Sequence, residues 1–116
     1  MNAYFSLDQH DKVHIIHVND LLSEEAIVQL LETAENQILD GYPNFVVDLS
    51  RITYMNSVGI NFLIRLKRRA AESGGQLVVC SASDKVKQLL EITKLRSRFL
   101  LTDTLDEAIK SLSTLD

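Results

Sequence analysis

Ser57 closes a seven-residue connection, Ser50-Arg51-Ile52-Thr53-Tyr54-Met55-Asn56, and stands where a helix-periodic stretch begins. A serine there has two kinds of chemistry open to it. As a helix N-cap, its hydroxyl accepts a backbone N–H, and losing that bond costs about 1 kcal/mol. As a phosphoacceptor, it presents a hydroxyl at a helix start whose unpaired N–H groups and positive dipole end favour a phosphate. Ile52, Tyr54 and Met55 make the connection apolar for a loop, which predicts that it is pinned to the body of the domain. Gly59, in the first turn of the helix, predicts close approach of a backbone or of another chain, because it carries no side chain.

Other reactive side chains lead elsewhere. His14 and His17 lie three apart on an expected strand, so their side chains point to opposite faces and share no ion; no metal or cofactor is expected. The single cysteine, Cys80, sits in the apolar run Leu77-Val78-Val79-Cys80 and is expected as a buried, reduced thiol. The sequence holds no glycine-rich phosphate loop, nucleophile elbow or cysteine pair, and Ser57 has no neighbouring histidine to activate it, so catalytic residues are not expected. A net charge of −4 argues against nucleic-acid binding. The basic run Arg65-Leu66-Lys67-Arg68-Arg69 reads as a solvated helix face or a dock for an acidic partner. The first eight residues lack a secretory pattern and no stretch has the apolar length of a membrane span, so the expected location is cytoplasmic.

The elements that must position Ser57 follow from periodicity. Residues 4–7 and 13–18 read as a hairpin around a polar turn at residues 8–11. Ser23 precedes Glu24 and Glu25, and Ile27, Leu30, Leu31, Ala34 and Ile38 recur at helical spacing until Gly41 and Pro43. Residues 45–49 form a strand covered on both faces, and a second helix over residues 57–73 ends at Gly74-Gly75. Residues 77–80 make the next strand, and Ser83 caps a helix with Val86, Leu89, Leu90 and Ile92 inward. Residues 99–101 form a short strand and residues 105–112 a terminal helix. With no repeat or linker, residues 1–116 form one α/β domain: a small, mostly parallel sheet with an N-terminal antiparallel hairpin edge, flanked by about four helices. The loops at the carboxyl ends of the parallel strands gather on one edge, where binding sites form.

The stretch from Asp48-Leu49-Ser50 through Asn56-Ser57-Val58-Gly59-Ile60 resembles the signature of the STAS domain, shared by sulfate transporters and anti-sigma factor antagonists. The spacing of Gly74-Gly75, of the Leu77 to Cys80 strand and of the Val86 to Ile92 helix matches as well. The resemblance places the family's phosphoacceptor at Ser57. Asn56 stands where the family usually has aspartate, keeping its shape but not its charge, and Val58 replaces a second serine. The resemblance implies partner switching without catalysis. The unmodified protein binds an anti-sigma factor that is also a serine kinase, through Met55, Asn56, Ser57, Val58, Gly59 and Ile60. Phosphorylation releases it, and a serine phosphatase of the PP2C type restores binding. Two alternatives stay open: a STAS scaffold subunit of a transporter ATPase that is never phosphorylated, and a sensor binding a nucleotide or small ligand at the helix start.

Overall fold

The computed structural model describes residues 4–21 and 23–113; residues 1–3, 22 and 114–116 of the expected domain lie outside the described residues. In chain order the elements are β1 (Phe5–His10), β2 (Val13–Val18), α1 (Glu24–Leu39), β3 (Asn44–Asp48), α2 (Ser57–Glu72), β4 (Leu77–Cys80) and α3 (Asp84–Ile92). A 3-10 turn (Arg96–Arg98), β5 (Leu100–Thr102) and α4 (Leu105–Ser113) complete the order. The sheet order is β1-β2-β3-β4-β5, with β1 antiparallel to β2 and all other pairs parallel.

Strands added one after another in the same direction by right-handed crossovers place their connecting helices on one face. Helices α1, α2 and α3 accordingly share a core with Ile16, Val18, Phe45, Val47, Leu49 and Val79, while α4 covers Val13, Ile15, Val46 and Val78 with Ala108 and Leu112. Phe45, Val46, Val47 and Leu49 are all at 0% exposure, as expected for a strand covered twice. Serine caps fix two helix starts: the Ser23 and Ser83 hydroxyls accept the N–H groups of Ala26 and Val86.

Two boundaries differ from expectation. The first strand runs on through Asp8, Gln9 and His10, because Asp11 takes a left-handed φ of 53° and a two-residue turn suffices to pair His10 with Val13. Phe99 lies outside β5: its backbone follows the 3-10 turn while its ring is buried, and pairing to β4 begins at Leu100.

His14 and His17 do point to opposite faces. His14 packs on the side of α1–α3, edge-on to Tyr42 at 5.2 Å between ring centroids and tilted against Phe45. It is 5% exposed, and its Nε2 has no hydrogen-bond partner. Burial pushes its pKa down, with Asp40 opposing weakly. The folded protein therefore holds His14 neutral, whereas the unfolded chain takes up a proton near pH ~6.5. Stability contributed by this difference is complete above that pH and falls as pH drops below it, by at most about 1.4 kcal/mol per pH unit for one proton. His14→Phe is expected to flatten the slope of unfolding free energy between pH 7 and 5, measured by urea titration at several pH values.

Candidate functional site

The segment from β3 to α2 is held at each end and in the middle. At its start the Asp48 carboxylate accepts the Ser50 N–H on Oδ1 at 2.9 Å and the Ser50 hydroxyl on Oδ2 at 3.2 Å. The Leu49 N–H donates to the Cys80 carbonyl, and Ile52 N–H turns back to Leu49. Further along, Ile52 and Met55 are buried at 5% and 0% exposure and anchor the chain on either side of exposed Thr53 and Tyr54. The Ser83 hydroxyl, while capping α3, donates to the Thr53 carbonyl at 2.9 Å. The expectation of an apolar, pinned loop therefore holds.

At the helix start the structure corrects the sequence reading by one residue. Asn56 is the N-cap: its Oδ1 accepts the Val58 N–H at 2.9 Å and its carbonyl accepts that of Ile60. Ser57 is the first residue of α2 and is exposed. The amide in place of the family's aspartate thus performs the capping, and the Ser57 hydroxyl is left to solvent beside the positive end of a 16-residue helix.

The remaining expected site residues divide by burial. Asn56 and Val58 are half-buried, Gly59 is buried, and Met55 and Ile60 turn into the core at 0% and 8% exposure. Met55 and Ile60 therefore support the start of α2 from beneath. Exposed apolar side chains are found at Tyr54 in the segment, at Ile64 on α2 and at Val28 on α1. Val28 borders a groove of about 230 Å³ between α1 and α2, with Glu24, Val58, Asn61 and Arg65. Val28 was invisible to sequence reading because it lies off the inward stripe of α1. Beyond the carboxyl ends of β2 and β3, Arg51 donates to Asn19 at 3.1 Å within an open cleft of about 470 Å³.

Charges behind the site are structural. Arg69 bridges α2 to α1 by pairing with both carboxylate oxygens of Glu35, at 2.8 Å for Nη2, and this hydrogen bond draws the Glu35 carboxyl below its usual range. Lys67 donates to the Arg98 carbonyl, its ammonium 5.6 Å from the Phe99 ring centroid. The basic run is thus not wholly a solvated face. Cys80 is buried, and burial pushes its thiol up to about 11, so it is un-ionised as expected. Among the described residues, no group of three or more His, Cys, Asp or Glu could hold a metal ion, and no helix is long and apolar enough to cross a membrane.

Gly59 meets backbone of its own chain. A Cβ there would lie 2.9 Å from the Leu21 carbonyl oxygen and 2.9 Å from Met55 Cβ, closer than van der Waals contact permits. This approach seats the first turn of α2 on the connection between β2 and α1. Gly59→Ala gains up to about 1 kcal/mol in helix propensity but incurs overpacking of about 1–3 kcal/mol against backbone. The expected net result is a melting temperature lowered by several degrees, read by calorimetry; an unchanged or higher value would show that the seat can give way.

Residues 4–108 match the STAS domain family. A curated relative, the anti-sigma-B factor antagonist of Staphylococcus aureus, is 25% identical over 96 residues, covering 83% of this chain and 89% of that protein. A structure described as an anti-sigma-factor antagonist (STAS) domain protein from Planctomyces limnophilus superposes with a TM-score of 0.82 at 21% identity, covering 96% of this chain and 99% of the other. The anti-sigma factor antagonist SpoIIAA in its unphosphorylated form gives 0.81 at 18% identity, covering 97% and 98% of the two chains. The phosphorylated form of SpoIIAA, described as a Bacillus cell fate determinant, gives 0.73, also at 18% identity, covering 92% and 97%. With the family match running from β1 into α4, and with the five-stranded mixed sheet and four helices in the same arrangement, the chain belongs to the STAS domain family.

Proposed function

We propose that this protein is an anti-sigma factor antagonist that switches partners through Ser57. Unmodified, it binds an anti-sigma factor that is also a serine kinase; phosphorylated on Ser57, it lets that partner go; a serine phosphatase of the PP2C type resets it. The observation that carries this reading is the exposed Ser57 hydroxyl at the first position of α2, on a segment held rigid by Asp48, Ile52, Met55 and Ser83. The names of its relatives, matched over most of their length, support the same reading.

The physics of release is local. A phosphate on Ser57 would lie beside the positive end of α2, where a negative charge stabilises a helix by about 0.3–1 kcal/mol, so the fold survives modification. At an interface the same group acts against the complex. A unit charge opposed at about 4 Å with an effective dielectric near ~20 is worth about 4 kcal/mol, or about a thousandfold in affinity. Asn56, being uncharged, caps the helix without repelling that phosphate.

Incubation with a cognate anti-sigma kinase and ATP, followed by intact-mass measurement and site mapping, is expected to give one phosphate on Ser57 and none on Ser57→Ala. Mapping to Ser50, Thr53 or Ser73 would overturn the assignment. Affinity for the anti-sigma partner, measured by calorimetric titration, is expected to fall in the order unmodified, Ser57→Asp, phosphorylated. Aspartate brings about one negative charge where phosphate brings about 1.5 to 2. Thermal melts of the three forms should stay cooperative and within a few degrees of one another; tighter binding by the phosphorylated form would defeat the mechanism.

A further inference from the structure

His17 lies on the face of the sheet that α4 covers, in line with its register partners Ser6, Asp48 and, across β3, Cys80. Its imidazole is held between two carboxylates: Nδ1 is 2.6 Å from Asp48 Oδ2, and Nε2 is 3.2 Å from Asp8 Oδ2. Ionised carboxylates only accept hydrogen bonds, and a neutral imidazole has one N–H to give. Only the doubly protonated ring can donate to both. The two contacts differ in exposure: the side chains of His17 and Asp48 are 16% and 11% exposed, while that of Asp8 is 71% exposed. The Nδ1 bond is shielded, and the Nε2 bond sits at the edge of water, where a proton can come and go.

The Asp48 oxygen that receives the imidazole also accepts the Ser50 hydroxyl, and its other oxygen accepts the Ser50 N–H. One carboxylate is therefore shared between the ring on β2 and the turn that opens the segment leading to Ser57. We propose that His17 is a positioning residue for this segment: with Asp8 and Asp48 it forms a proton-sensitive latch tying edge strand β1 to the turn from which the Ser57 segment departs.

From β1 comes Asp8, from β3 Asp48, and from β4 the un-ionised Cys80, whose Sγ is 3.9 Å from Asp48 Oδ1. Helix α4 meets this face through Leu105, Ala108, Ile109 and Leu112. Burial by itself would push the Asp48 carboxyl up; the hydrogen bonds from His17 and Ser50 outweigh it and hold it below the usual range. When the ring loses its second proton, one carboxylate faces a lone pair, and the hydrogen bonds to the shared carboxylate readjust. The position of the Ser57 segment then responds to the protonation of His17. The consequence for partner switching rests on the reading of Ser57 given above; the latch itself does not.

The test uses the free, isotopically labelled protein, with no kinase present, so its outcome is independent of whether Ser57 is phosphorylated. Two-dimensional NMR across a pH titration follows the three imidazole rings separately, together with the amides of Ser50 and residues 51–57. The amides are expected to share the midpoint of the His17 ring and to lose that dependence in His17→Gln. In Asp8→Asn, an exposed change that leaves the core intact, ring and amide midpoints are expected to move together. In Asp48→Asn the ring is expected to titrate while the amides no longer follow. Amides that stay flat while the His17 ring titrates, that follow His10 or His14 instead, or that keep their dependence in His17→Gln would overturn the latch.

Discussion

Strand β3 sits at the middle of the sheet with Phe45, Val47 and Leu49 turned toward α1–α3 and Val46 toward α4, and the rest of the domain is arranged around keeping those side chains dry. Each fully buried side chain of this kind contributes about 1.5–3 kcal/mol relative to exposure, and cutting one back to alanine costs about 2–5 kcal/mol. Parallel neighbours on both sides require crossover helices, and those helices cover one face; α4 exists to cover the other. The constraint also determines where function can sit. At the carboxyl end of β3 the chain leaves the two layers through buried Asp48 and exposed Ser50.

That exit explains how a surface hydroxyl is held on a rigid mount. Ile52 and Met55 carry the segment's weight in the core, Ser83 ties its middle to α3, and Asn56 closes the first turn of α2, itself seated on the Leu21 backbone through Gly59. A charge added at such a mount changes what the surface repels without touching what the core depends on. On the proposed reading, binding and folding separate because Ser57 is exposed and lies outside the core.

The buried polar groups divide by partnership. His14 has aromatic neighbours and no acceptor, so burial disfavours its charge. Asp48 is equally buried but receives hydrogen bonds from His17 and Ser50, which favour its charge against the same penalty. Both histidines come from one strand of six residues, and pleating alone sends them to these opposite fates.

Much of this was legible in the residues. Periodicity marked four helices and five strands, Ser23 and Ser83 were readable as caps, the doubly buried β3 followed from its unbroken apolar run, and the Asp48 to Ile60 stretch pointed to the family. Less was legible where two residue types suit one role. Asn56 and Ser57 are both good caps, and the choice fell to Asn56 because burying Met55 sets the register at which a side-chain oxygen reaches the Val58 N–H. The hairpin turn was narrower than its polar sequence suggested, since one residue, Asp11, could take the left-handed conformation. Local pattern determined which segments are helix or strand and which serine faces a helix start, because periodicity and capping act over a few residues. Only the tertiary structure decided that His17 meets Asp48 from 31 residues away, that Gly59 rests on Leu21, and that Met55 and Ile60 face inward, because those contacts depend on strand register and layer packing that no short stretch of chain contains.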